Sequence, residues 1–179
     1  MIITISGPPG SGKSTLSKII SVKLGLELVS MGDIFRKCAQ DRCMSLDEFG
    51  QIAKCNEKID HEIDAMQKKI ADEKDNIVIE GRLSGFLVDA DLKVWLKAPL
   101  EVRAQRIAKR ECKSVAKAME ETSEREECER ERYLKYYDLD VKDLSVYDIV
   151  IDSSKWSAQE ISEIVEKAAG FLIRYDTTI

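Results

Sequence analysis

The feature that most constrains this chain lies near its start. Gly7-Pro8-Pro9-Gly10-Ser11-Gly12-Lys13-Ser14 fits the spacing G-x-x-x-x-G-K-[ST]. The apolar run Ile2–Ser6 precedes it. A helical pattern follows, with Leu16, Ile19 and Ile20 on one face before Gly25, a C-terminal cap glycine. Strand, glycine-rich turn and helix in that order form a cradle for phosphate. The glycines let the backbone curl so that successive N–H groups face inward. The helix that opens near Lys13 adds the positive end of its dipole. Lys13 is expected to place its charge between the β- and γ-phosphates of ATP, and the Ser14 hydroxyl is sized to ligate Mg²⁺. The expected ATP-binding loop runs from Gly7 to Thr15.

Four further short apolar runs read as strands: Leu26–Val29, Ile77–Glu80, Lys93–Lys97 and Tyr147–Asp152. Helical patterns fill the gaps. Ile59, Ile63, Met66 and Ile70 make a stripe behind Asn56, an N-cap. Ser45-Leu-Asp-Glu48 and Ser157-Ala-Gln-Glu160 are capping boxes. The alternation predicts an α/β P-loop NTPase fold, a five-stranded, mostly parallel sheet flanked by helices, with ligands at the carboxyl ends of the strands. The 179 residues form one domain, with an acceptor-binding segment at about 30–75 and a lid at about 111–137. Within the lid, Glu120–Arg132 holds seven Glu and three Arg and no apolar stripe. It reads either as a solvated helix laced with i,i+4 pairs or as a mobile helical lid whose arginines reach a phosphate on closing.

Composition removes several classes. A net charge of −5 argues against a general nucleic-acid or membrane binder. An odd count of five cysteines without a C-x-x-C pair suits reduced thiols in a cytoplasmic, monomeric protein. The first apolar run meets Gly7 too soon for a secretion signal or a membrane span. Asp47-Glu-Phe-Gly50 mimics a GTPase switch, but it lies inside a capped helix and no N-K-x-D guanine reader follows.

A second phosphate site is expected opposite the loop. Arg36 follows the second strand and Arg82 follows the third. Each is a bidentate phosphate fork at a strand end. Glu80 at the same edge can orient the Mg²⁺ shell through water. His61, the one histidine, lies in a mid-chain helix and has no triad partners. An acceptor that is itself a phosphate needs no general base, because it is already an anion. Lysine, arginines and Mg²⁺ then suffice.

The residues that carry these features resemble the nucleoside monophosphate kinases, and among them the short archaeal-type cytidylate kinases. The carriers are Gly7–Thr15, Ser30-Met-Gly-Asp-Ile-Phe-Arg36, Ile79-Glu-Gly-Arg-Leu-Ser-Gly85, and Arg125–Tyr133 leading to Asp143–Asp152. The resemblance implies transfer of the γ-phosphate of ATP to CMP and dCMP, with Mg²⁺ as cofactor. Arg36, Asp33 and Arg82 would hold the acceptor. Arg125 and Arg132 would be catalytic lid arginines beside Lys13 and Arg82. Arg103 or Arg106 would contact ATP. The base readers stay open among Asp60, Asp64 and Glu127. Two other readings stay open too: a P-loop kinase for AMP, UMP or a shikimate-like acceptor, and an ATPase coupled to a partner protein.

Overall fold

Short, nearly continuous apolar runs build the sheet. The computed structural model describes the backbone of residues 1–176 and their side chains, except those of residues 46, 47, 54, 55, 60 and 173–176. Strands β1 (Ile2–Ser6), β2 (Glu27–Ser30), β3 (Ile77–Glu80), β4 (Leu92–Lys97) and β5 (Ile149–Asp152) pair in the order β2-β3-β1-β4-β5. All four pairings are parallel. Both faces of such a sheet must be covered, and the strands accordingly bury residues of both parities. Ile3, Ile5 and Val78 face one core; Ile77 and Ile79 face the other.

The first core is closed by α1 (Lys13–Leu24) and α8 (Ala158–Asp176), through Leu16, Ile20, Ile161 and Val165. The second is closed by α2 (Met31–Asp41), α3 (Leu46–Cys55) and α4 (Glu57–Glu73), through Met31, Phe49, Ile59 and Ile63. Each fully buried Ile or Phe contributes about 1.5–3 kcal/mol of transfer free energy. The one-turn helix α5 (Ser84–Leu87) follows β3. Helices α6 (Leu100–Glu111) and α7 (Val115–Tyr137) pack together through Ala104, Ile107, Ala108 and Ala118.

The caps fall where the sequence puts them. Gly25 adopts φ 66° and ends α1. Both capping boxes close, Ser45 with Glu48 and Ser157 with Glu160. Asn56 accepts the N–H of Lys58 at the start of α4. Three expectations shift. Strand β2 begins at Glu27, because the N–H of Leu26 returns to the carbonyl of Ser21 in the α1 cap. Strand β5 begins at Ile149, because Tyr147 closes a turn on Leu144. On α4 the buried stripe leaves Met66, which is 45% exposed, and takes Gln67, which is 2% exposed.

Register brings the strand ends together. Ile5 and Ser30 are both opposite Glu80, so the loop after β1 and the ends of β2 and β3 share one edge of the sheet. The phosphate loop, Ser30, Glu80 and Arg82 all gather at that edge.

Candidate active site

The loop after β1 is held by its own carbonyls. Arg82 Nη1 donates to Gly7 O at 2.7 Å. Arg103 Nη1 donates to Pro9 O and Arg106 Nη1 to Gly10 O, each at 3.2 Å. Ser153 Oγ donates to Ser11 O at 2.6 Å. These donors and the Ser11 N–H, which donates to Pro8 O at 3.2 Å, fix the curl of the loop, and curled backbone of this kind is what cradles an anion. The curl needs glycine. Gly10 sits at φ 74°, and a Cβ there would lie 2.6 Å from the Arg103 carbonyl.

Lys13 stands at the first turn of α1, half-buried, with Nζ 3.2 Å from Pro8 O. Its pKa falls to about 7. Burial is the main cause and the Arg82 charge adds to it, while Glu80 and Glu129 pull the other way. A cation held this weakly is short of negative charge, and a triphosphate supplies it.

At the end of β2, Ser30 caps α2 by accepting the N–H of Asp33 and donates its hydroxyl to Glu80 Oε2 at 2.7 Å. Glu80 is buried at the P-loop edge. Among the described residues, no group of three or more His, Cys, Asp or Glu gathers to hold a metal. Ser14 and Glu80 line one cavity, a donor set that suits Mg²⁺ arriving on nucleotide phosphates rather than in an all-protein cage. Arg36 is exposed and paired with Asp33 one helical turn away.

At the end of β3 the pairing is tighter. Glu129 of α7 takes Arg82 Nε on one oxygen and Arg125 Nε on the other, both at 2.9 Å. Burial pushes the Glu129 carboxyl up, yet Arg82, Arg125 and Arg132 overcome it and hold the pKa below the usual range. One carboxylate thus bridges two guanidinium groups where two phosphates are expected to meet.

These groups line two adjoining cavities. The larger, about 460 Å³, runs along Gly10–Leu16 past Arg36, Glu80, Arg82, Arg106, Arg110 and Arg125 to Trp156. The smaller, about 90 Å³, lies between α2, α4 and α7. Gly32, Arg82 and Arg125 belong to both walls.

The remaining expected site residues divide. Asp64 lines the smaller cavity; burial raises its carboxyl, and Tyr137 donates a hydrogen bond to it. The Asp60 side chain lies outside the described residues. Glu127 lines neither cavity and pairs with Arg130 on the solvent face. Two residues on, about 200° round the helix, Glu129 faces inward. Arg103 is buried behind the loop against Ala98 O, Pro9 O and Glu126, so it shapes the loop, while Arg106 reaches the cavity. Arg132 is buried over the Tyr133 ring and lines neither cavity. Sequence reasoning missed Glu129, Gln67, Arg110, Ser153 and Trp156. Gln67 had a signal: a polar residue four positions after Ile63 on a stripe otherwise apolar. Ser153 and Trp156, in the loop after β5, had none.

A parallel sheet in this order, with a phosphate cradle after its central strand and arginines converging from neighbouring strand ends, defines a P-loop phosphotransferase. Residues 2–155 match the cytidylate kinase-like family, and the chain belongs to that family. The cytidylate kinase of Methanocella arvoryzae is 49% identical over 168 residues, 94% of this chain and 96% of that one. The cytidylate kinase of Archaeoglobus fulgidus is 50% identical over 169 residues, 94% of each chain. Among solved structures, shikimate kinase from Bacteroides thetaiotaomicron superposes with a TM-score of 0.61 at 15% identity, over 95% of this chain and 98% of that one, which is a likeness of fold alone. No helix among the described residues is long and apolar enough to cross a membrane.

Proposed function

We propose that the protein transfers the γ-phosphoryl group of ATP to the α-phosphate of CMP, and of dCMP, giving the diphosphate and ADP. The observation that carries this reading is the shared wall. Two cavities, one on a phosphate loop and one apolar with a polar end, meet at Arg82 and Arg125. A donor triphosphate and an acceptor monophosphate placed in them would touch there. The cytidylate kinases of the family supply the acceptor's identity.

The side chains divide the work. Loop amides and Lys13 hold the β- and γ-phosphates. Arg36, beside Asp33, grips the acceptor phosphate from the other side of the cavity. Arg82 and Arg125 face the point of transfer, where charge spreads over the equatorial oxygens. Arg132 backs them with further positive charge. Arg106, Arg110 and Trp156 flank the space left for adenine, and Trp156 offers a stacking face. No general base is needed, because the acceptor oxygen is already anionic. Mg²⁺ carried by ATP would be held by Ser14 and, through water, by Glu80; when bound it draws charge from the phosphates. Helix α7 covers the junction and keeps out water, which would otherwise accept the phosphoryl group.

Coupled ADP release with ATP·Mg tests the reading against CMP, dCMP, UMP, AMP, GMP, shikimate and no acceptor. Turnover confined to CMP and dCMP is expected. Equal ADP release without an acceptor would replace the kinase with an ATPase.

A further inference from the structure

Gln67 is the polar residue of α4 that the core should not hold. It is 2% exposed, yet its Nε2 makes no hydrogen bond. Buried amides are rarely left so, and a ligand is one reason. Gln67 lines the smaller cavity, and so does Asp64 three residues earlier on the same helical face. Around them the wall is apolar: Phe35, Ile63, Leu83 and Tyr133. The cavity's other end is Arg82 and Arg125, the phosphate end.

Resting on the function proposed above, we infer that Asp64 and Gln67 read the acceptor base, the carboxylate accepting from an exocyclic amino group and the amide N–H donating to the ring nitrogen beside it. Cytosine presents that pair: an N4 amino donor next to the N3 acceptor. Uracil presents the reverse, an O4 acceptor next to an N3–H donor. A carboxylate has no proton to offer O4, so uracil would leave buried polar groups unmatched, the strongest form of rejection. The small volume, about 90 Å³, suits one ring rather than two. Tyr137 donates its hydroxyl to Asp64 and so acts as a positioning residue, leaving the carboxylate's free lone pairs for the base. Phe35 and Tyr133 supply flat walls for the ring.

Steady-state kinetics on the full chain test this with Asp64→Asn and Gln67→Met, each measured with CMP, UMP and AMP. The Asn carbonyl can keep the Tyr137 hydrogen bond while its NH₂ turns a donor toward the base. Asp64→Asn should therefore lower the CMP/UMP ratio of kcat/KM by about tenfold or more. Gln67→Met keeps the volume and loses the donor. It should raise the KM for CMP by roughly tenfold to a hundredfold while kcat and the KM for ATP stay within about threefold. CMP affinity by calorimetry without ATP should fall in parallel. Ratios within about twofold of wild type in both folded variants, with wild type active on CMP, would overturn the base readers and leave the kinase standing. A wild type inactive on CMP would overturn both. Should Gln67→Met melt, the partly exposed Asp64→Asn site carries the test through the CMP/UMP ratio, which a merely structural change would leave alone.

Discussion

The proposed donor and acceptor halves of the site solve the same electrostatic problem in different ways. On the donor side the anion receptor is backbone, and its shape is fixed from outside. Arg82, Arg103, Arg106 and Ser153 hold four loop carbonyls, those of Gly7, Pro9, Gly10 and Ser11. On the acceptor side the receptor is made of long side chains, and acids hold them in place. Asp33 pairs with Arg36, and Glu129 spans Arg82 and Arg125. A backbone cradle needs no counter-charge while it waits, because amides are dipoles. Clustered guanidinium groups do need one. The acceptor side is therefore stabilised by contacts that an arriving phosphate must replace, and its affinity is a difference between two sets of ion pairs.

The largest expected effect lies on the donor side. Lys13→Ala should lower kcat/KM by about a thousandfold or more. Its Tm should hold or rise, since burial already weakens the Lys13 charge. A large fall in Tm would make Lys13 a structural strut and erase the contrast. Next comes Arg82→Ala, with an expected loss of roughly a hundredfold in kcat/KM for CMP. It should also destabilise the fold, because the buried Glu129 carboxylate loses one of the guanidinium groups that hold it. An unchanged KM for CMP would take Arg82 out of the acceptor half.

Glu129→Gln sharpens the comparison most directly. Without ligand it should cost about 1–3 kcal/mol, a Tm fall of roughly 3–10 °C. Saturating ATP and CMP should restore more stability to it than to wild type. The folded carboxyl is held below its ordinary pKa. Its stabilisation is thus present above an unfolded value of about 4.3 and lost as pH falls further. A variant as stable as wild type would mean that the arginines need no counter-charge.

Lys13 gives a smaller, pH-dependent effect. The free protein loses the Lys13 proton near pH 7, whereas bound phosphates hold it on. The KM for ATP should rise as pH climbs above 7, and ATP binding near pH 7 should take up protons, visible as a buffer-dependent calorimetric enthalpy. A flat KM between pH 6 and 9 would mean that Lys13 is charged before ATP arrives. Smallest of all is Ser153→Ala, which removes one hydrogen bond from the loop. It should raise the KM for ATP by about fivefold and leave the KM for CMP alone. An equal rise in both would show that the two halves are not mechanically separate.

The donor half was the more legible in sequence for the same reason that it is built of backbone. Glycine spacing dictates a curl directly, so Gly7–Ser14 announced the turn. The sheet was legible because its strands are short apolar runs, apart from Leu26, whose N–H the α1 cap had already taken. The acceptor half depends on which side of a helix each residue faces, and there local reading failed in two ways. In α4 the apolar Met66 looked like core, while the turn geometry put Gln67 inside. In α7 the lack of an apolar stripe over Glu120–Arg132 hid a buried face made of Ala118, Thr122, Glu129, Arg132 and Tyr133. Ala118 is inward because it packs on α6, and Glu129 because it meets Arg82 from another part of the chain, pairings that no local period reveals. Glu127 and Glu129 are identical residues two apart, yet Glu129 meets Arg82, 47 positions away, while Glu127 pairs with its helical neighbour Arg130.

The tie from Ser153 to Ser11 sets an order of events. The glycine loop leaves a ribosome well before its strap, which follows 142 residues behind. Between the two events the loop has its sequence but not all of its ties. A growing chain therefore carries the motif before the motif is fully held in shape. The last increment of ATP affinity should arrive only when the fifth strand has docked.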